Sequence, residues 1–225
     1  MFAAEPVAAT VARMTMILYV GTKSKSSWSM RPYLALTEAG AKFECRTIWL
    51  DGPSKAELHK HSPTGRVPVL EHDGLVVWDS LAICEYVAES HPSLWPRDVK
   101  QRAIARSVSA EMHSGFAALR QNMPMSLIVP RTGGHTPEAL ADAKRVMELW
   151  RERLAASGGP FLFGEFSIAD AMFAPVTTRF TTYNVEMDKV SRAYVDAVQG
   201  RPSFQKWLAE ARAEHAHDPA PERIG

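Results

Sequence analysis

Ser62-Pro63-Thr64-Gly65-Arg66-Val67-Pro68-Val69-Leu70, continuing through His72-Asp73-Gly74 to Trp78-Asp79-Ser80, is the stretch that decides the fold. Val69 to Glu71 and Leu75 to Trp78 are short apolar runs on either side of a His-Asp-Gly turn, the pattern of a hairpin. Pro68 stands directly before the first run. It has no N–H to give a ladder, so it suits an ordinary trans loop position, the first residue of a strand or a cis turn. A cis bond would turn the N–H and C=O of Val67 outward, free to pair with an extended peptide. Asp79 and Ser80 then open a helix to about Ser90, with Leu81, Ile83, Cys84 and Val87 as its apolar stripe. Two readings of Asp79-Ser80 stand side by side. One is a plain helix cap. The other is a site where backbone N–H groups and the Ser80 hydroxyl take a ligand carboxylate while Asp79 faces an ammonium.

Upstream, Met16 to Val20 is an apolar, β-branched run closed by Gly21, a buried strand. A polar loop, Thr22 to Trp28, leads to a helix over Ser29 to Ala39, with Pro32 in its first turn. Phe43 to Leu50 alternates as a second strand, and Lys55 to His61 is a short helix. The order is βαβ then αββα, an α/β domain over residues 14–90. Residues 1–13 are Ala-rich, carry Glu5 and lack a basic start, so they are expected to be a frayed extension rather than a signal peptide.

Downstream, His91-Pro92-Ser93-Leu94-Trp95-Pro96 reads as a linker, 91–97, after which strand signals stop. Val99 to Met123, Pro137 to Ala156, Ser167 to Tyr183, Ser191 to Gly200 and Pro202 to Glu214 all carry helical periodicity, so 98–225 is expected to be all-helical. Ser167-Ile168-Ala169-Asp170 has capping-box spacing and reads as the structural start of a buried helix.

Composition excludes several function classes. The 225 residues carry 26 Lys and Arg against 25 Asp and Glu, so neither nucleic acid nor an anionic membrane is an expected partner. Two cysteines, Cys45 and Cys84, are too few for a disulfide scaffold or a cysteine zinc site and suit a reducing, cytoplasmic compartment. His59 and His61 are two apart, as are His215 and His217, so neither pair shares a helix face and no metal is expected. There is no phosphate-binding loop, no G-x-G-x-x-G and no G-x-S-x-G. The loop Ser26-Ser27-Trp28-Ser29-Met30-Arg31 reads either as a solvated serine loop with a Ser29 cap and a surface Arg31, or as hydroxyls at a helix N-terminus, where a thiolate is stabilised. His113, Phe116 and Arg120 share a helix face, and Met112, Phe116, Leu119 and Met123 overlap it, a pattern of core and rim or of a pocket wall.

Taken in order, S-S-W-S-M-R-P-Y-L-A-L at 26–36, S-P-T-G-R-V-P-V-L at 62–70, W-D-S-L-A-I-C-E-Y at 78–86, the proline-bounded linker and F-S-I-A-D-A at 166–171 resemble the glutathione transferase superfamily over about Met16 to Ala211. That resemblance implies a thioredoxin-like domain followed by an α-helical bundle, in a cytoplasmic homodimer. It implies a cis Pro68, with Val67 holding the cysteinyl part of glutathione and Asp79 and Ser80 its γ-glutamyl end. The glycyl carboxylate would take a cation from Lys55 to Arg66, with Arg66 a candidate. The serine five before the arginine, Ser26, matches the activating hydroxyl of the zeta type, and Ser27 is the theta-like alternative. This chain departs from the zeta run by Trp28 in place of a cysteine and by Pro32 after the arginine. The implied activity is attack of a serine-held glutathione thiolate on small hydrophobic electrophiles, against a pocket wall of Met112, His113, Phe116 and Arg120, with Phe180 and Tyr183 beside them. The alternatives are a glutathione-dependent isomerase or lyase similar to maleylacetoacetate isomerase, and a non-catalytic member that binds glutathione, another ligand or a partner protein.

Overall fold

A computed structural model describes residues 16–49 and 54–217, with the side chains of residues 54 and 55 excluded. The expected extension 1–13, the end of the second strand at Leu50 and the Lys55 side chain lie outside these.

Four strands, β1 (Met16–Val20), β2 (Phe43–Thr47), β3 (Val69–His72) and β4 (Leu75–Trp78), form one sheet in the order β2-β1-β3-β4. β1 pairs parallel to β2 and antiparallel to β3, with Leu18 opposite both Cys45 and Leu70, and the β3–β4 hairpin completes the edge. Alternation along β1 divides two cores. Leu18 and Val20 enter the main core, whereas Tyr19 joins Ile48, Leu58 and Val69 in a small cluster on the opposite face. The helices α1 (Ser27–Glu38), α2 (Ser54–His61) and α3 (Ser80–Ser90) complete this half. α1 packs on α3, on β1 and on helices of the second half, which is why everything from Ser29 to Leu36 is buried, Arg31 included.

α1 begins two residues before the expected Ser29. The Ser29 hydroxyl caps nothing on its own helix; it accepts the Gly21 N–H at 3.2 Å and the Ser26 hydroxyl at 2.7 Å. Ser26 takes the N-cap position, and Pro32 falls inside the helix rather than in its first turn.

After a 3-10 turn at Pro92–Leu94, the second half is helical: α4 (Val99–Ser114), α5 (Ala117–Asn122), α6 (Pro137–Ser157), α7 (Ile168–Thr182), α8 (Lys189–Gln199) and α9 (Pro202–His217). α7 is buried from Ile168 to Phe180 and is the axis of this domain, running through Pro175 unbroken. Trp150 packs against Phe173, Phe180 and Tyr194 around it.

The expected single helix Val99 to Met123 is in fact two. Gly115 ends α4, where a Cβ would stand 2.7 Å from the Glu111 carbonyl oxygen, and Phe116 follows in the left-handed region at φ 57°. The exposed ends find side chains: Asp142 accepts the Leu119 N–H at 3.0 Å, and Arg120 donates to the carbonyls of Met112 at 3.2 Å and His113 at 3.1 Å.

Candidate active site

A cavity of about 550 Å³ opens where the first half presents three segments together. Trp28 enters from the start of α1, Thr64 to Pro68 from the loop before β3, and Trp78 to Ser80 from the β4–α3 junction. The Val67–Pro68 peptide is cis. The loop before it is shaped by Ser62, whose hydroxyl accepts the Arg66 N–H at 3.0 Å and donates to the Arg66 carbonyl at 2.7 Å. Gly65 sits at φ 64°, in the left-handed region that glycine adopts without strain, and a Cβ there would lie 2.5 Å from the His59 ring and push it aside.

Across the cavity Asp79 holds a strained backbone, φ 75°, and caps α3: its Oδ1 accepts the N–H of Leu81 at 2.8 Å and of Ala82 at 3.3 Å. Its Oδ2 lies 3.2 Å from Nε2 of His113, which reaches over from α4 of the helical half. Burial, with Arg31 and Arg120 nearby, holds the His113 imidazole below its ordinary range, although Asp79 pulls the other way. The imidazole and the Asp79 carboxylate thus stand in contact between the two halves.

Behind Ser80 lies Arg31, fully buried, with Nη1 at 3.5 Å from the Ser80 hydroxyl and with Nε and Nη2 unpartnered. Its guanidinium stacks on Trp28 at 4.2 Å, and Arg120 lies over the same indole at 5.5 Å. Burial and the charges of Arg179 and Arg120 lower Arg31 to about 9. The starts of two helices, at Trp28 and Ser80, thus face the cavity with the buried Arg31 guanidinium behind them, an environment that favours anions.

The structure brings Arg66, Val67, Pro68, Asp79 and Ser80 to one cavity. Ser26, partly exposed, and Ser27, 7% exposed, stand at the start of α1 beside Trp28. His113 and Arg120 approach from the other half, through Trp28 and Asp79. Met112 does not reach open space: it is fully buried in the core, as is Phe180 against Trp150. Phe116 is 8% exposed at the α4–α5 break, and Tyr183 turns its hydroxyl to the Pro124 carbonyl at 3.0 Å. The stripe Met112-Phe116-Leu119-Met123 is thus core, and of the expected wall His113 and Arg120 stand near the cavity, through Asp79 and Trp28, without lining it. Trp28, Thr64 and Trp78 stand inside the sequence motifs but are not among the expected site residues; the one available signal is a tryptophan set among serines at 28.

Comparison with known proteins gives matches over both halves. A family profile described as glutathione S-transferase, N-terminal domain, matches residues 25–90, and one described as the C-terminal domain matches 131–210. Maleylacetoacetate isomerase of Rattus norvegicus is 32% identical over 178 residues, covering 76% of this chain and 81% of the rat protein. Glutathione S-transferase 1 of Zea mays is 31% identical over 199 residues, covering 81% of this chain and 92% of the maize protein. A crystal structure of a glutathione transferase homolog from Burkholderia strain BGR1, with bound glutathione, superposes with a TM-score of 0.71 at 28% identity, covering 88% of this chain and 99% of the other.

Proposed function

The chain belongs to the glutathione S-transferase family, and from that premise we propose that it binds glutathione in the Trp28–Ser80 cavity and uses the Ser26 hydroxyl to hold its thiolate for attack on small hydrophobic electrophiles. The observation that carries this reading is the pairing, across one cavity, of the Arg66–Pro68 loop with the capped α3 start at Asp79 and Ser80. The outward N–H and C=O of Val67 pair with the peptide backbone of glutathione. The Ser80 end of α3 takes the γ-glutamyl carboxylate, Asp79 takes the ammonium, and Arg66 takes the glycyl carboxylate.

A cysteine-like thiol has a pKa near ~8.5, and lowering it by about two units requires roughly 2.7 kcal/mol in favour of the anion. A hydrogen bond to a charged acceptor supplies about 1.5–3 kcal/mol and a helix terminus about 0.3–1 kcal/mol. The Ser26 hydroxyl donates to Ser29. Redirecting that proton gives up a neutral hydrogen bond of about 1 kcal/mol for a stronger one to sulfur. The enzyme is read as a cytoplasmic homodimer; the two free cysteines and Leu75, exposed on the edge strand β4, are compatible with that. Among the described residues no helix is long and apolar enough to cross a membrane.

Asp79→Asn separates ligand charge from helix capping, because asparagine keeps the cap acceptor. Calorimetric titration is expected to show glutathione binding weakened by about tenfold, from the lost charge-assisted bond on a partly exposed group, with an almost unchanged melting temperature. Equal affinity in the two proteins would remove Asp79 from the γ-glutamyl site.

The isomerase relatives favour a second reading of the same thiolate, in which glutathione adds to an unsaturated substrate, allows rotation and departs unchanged. Thiol titration during turnover separates the two. A transferase consumes one glutathione per product, and an isomerase consumes none.

A further inference from the structure

We propose that Glu214, on α9 at the far end of the chain, is a positioning residue for the serine loop, acting through Lys23; this rests on Ser26 being the thiolate donor. The loop Thr22 to Ser26 is tied inward by its own turn, with the N–H groups of Lys25 and Ser26 on the Thr22 carbonyl at 3.1 and 2.9 Å. Its outer side is held by the helical half. The Ser24 carbonyl accepts the Leu127 N–H at 3.1 Å, and the Lys23 carbonyl accepts Nε1 of Trp207 on α9 at 3.1 Å. Glu214 grips the same residue twice: Oε2 accepts the Lys23 N–H at 2.8 Å and Oε1 accepts its ammonium at 2.6 Å. Thr47 of β2 closes the ring, accepting from the ammonium at 2.8 Å and donating to Glu214 at 2.6 Å.

Lysine is almost never buried unless paired, yet Lys23 is 6% exposed in a loop. Withdrawing Glu214 therefore strips the Lys23 N–H of its acceptor and leaves the buried ammonium with Thr47 as its one near acceptor, which loosens this shape of the loop. Glu210, 3.7 Å from the ammonium, offers partial charge compensation but reaches no backbone group of the loop. Lys23 is three residues before Ser26, so displacement of its backbone swings the Ser26 hydroxyl. A misplacement of about 1 Å at a reacting centre costs on the order of a hundredfold in rate. The α9 carboxylate thereby joins the fit of the last helix to the placement of the hydroxyl in the first domain, across a sequence separation of 191 residues.

The test compares wild type, Glu214→Ala and Glu214→Gln in the full chain. The readouts are glutathione affinity by calorimetry, the pKa of the bound thiol by ultraviolet absorbance, turnover with a reactive chloronitroaromatic, and amide exchange over residues 21–27. In Glu214→Ala, affinity should stay within about threefold, exchange should rise and kcat should fall about tenfold, with the bound thiol pKa up by about one unit. Glu214→Gln, which keeps a neutral acceptor for the Lys23 N–H, should recover most of that loss. If Glu214→Ala matches wild type in kcat and thiol pKa, the positioning role is overturned. So it is if glutamine fails to rescue although both variants melt with wild type. If wild-type protein itself leaves the thiol pKa unlowered, the Ser26 assignment has failed and the positioning role falls with it.

Discussion

Ser26→Ala should lower turnover of a reactive electrophile by ten- to about a hundredfold while glutathione affinity changes by less than about threefold. The size follows from what is removed: one hydroxyl donor to a thiolate, about 1.5–3 kcal/mol, from a site where the α1 terminus and the buried Arg31 remain. The specificity follows from geometry. Ser26 is the N-cap of α1, whereas the groups assigned to the rest of glutathione lie on the Arg66–Pro68 loop and on α3. Ser27→Ala is the matched control. Ser27 is one position further into the helix and only 7% exposed, and its loss should cost less than about threefold. A large loss in Ser27→Ala with a silent Ser26→Ala would transfer the role to Ser27.

Asp170→Ala should be the most destabilising single change at a polar position in the molecule. The carboxylate is fully buried and accepts four hydrogen bonds: from the N–H of Leu162 at 3.1 Å, the N–H and hydroxyl of Ser167 at 2.9 and 3.0 Å, and the hydroxyl of Tyr194 at 3.0 Å. It thus starts α7, ties down the Gly158–Gly164 loop and anchors α8 at once. Each buried donor left unpaired costs about 1–3 kcal/mol. Burial opposes the anion and pushes its carboxyl up to about 6, so part of that loss is returned when the charge is removed. A net loss of about 3–5 kcal/mol remains, which for a chain of this size lowers the melting temperature by roughly 10 °C. Chemical denaturation reads it directly, and a loss below about 1 kcal/mol would contradict the role given to this residue. Asp170→Asn, which keeps one acceptor, should fall between.

What was legible in the sequence was whatever local chain chemistry dictates. The His72-Asp73-Gly74 turn, the Asp79 cap and the Ser167–Asp170 box each state their geometry within a few residues, and each is observed. Gly115 interrupts a long apolar periodicity with a single residue, and only the packed structure, where a Cβ would meet the Glu111 carbonyl, makes it a helix end. Ser29 looks like a cap because serine usually is one; its hydroxyl went instead to Gly21 and Ser26, a choice set by the neighbouring strand end. The site divides in the same way. Arg66 to Pro68 and Asp79-Ser80 sit on local turn and cap signals, but their place in a site came from the family resemblance rather than from those signals. The approach of His113 to Asp79, the burial of Arg31 under Trp28 and the grip of Glu214 on Lys23 join residues 34 or more apart, or depend on packing between the halves. Met112 and Phe180 carried a helical apolar spacing that core and pocket wall share, and packing assigned both to the core.

Both glutathione readings require that the thiol of bound glutathione ionise more readily than the free thiol. The direct measurement is the ultraviolet thiolate absorbance of glutathione mixed with the pure protein, followed from pH 5 to 10, with Ser26→Ala beside it. A thiolate band should titrate about two units below the free thiol's pKa of ~8.5 in wild type and move back toward the free value in Ser26→Ala. A band that titrates with free glutathione in both proteins, at concentrations where calorimetry shows the site filled, would contradict that requirement.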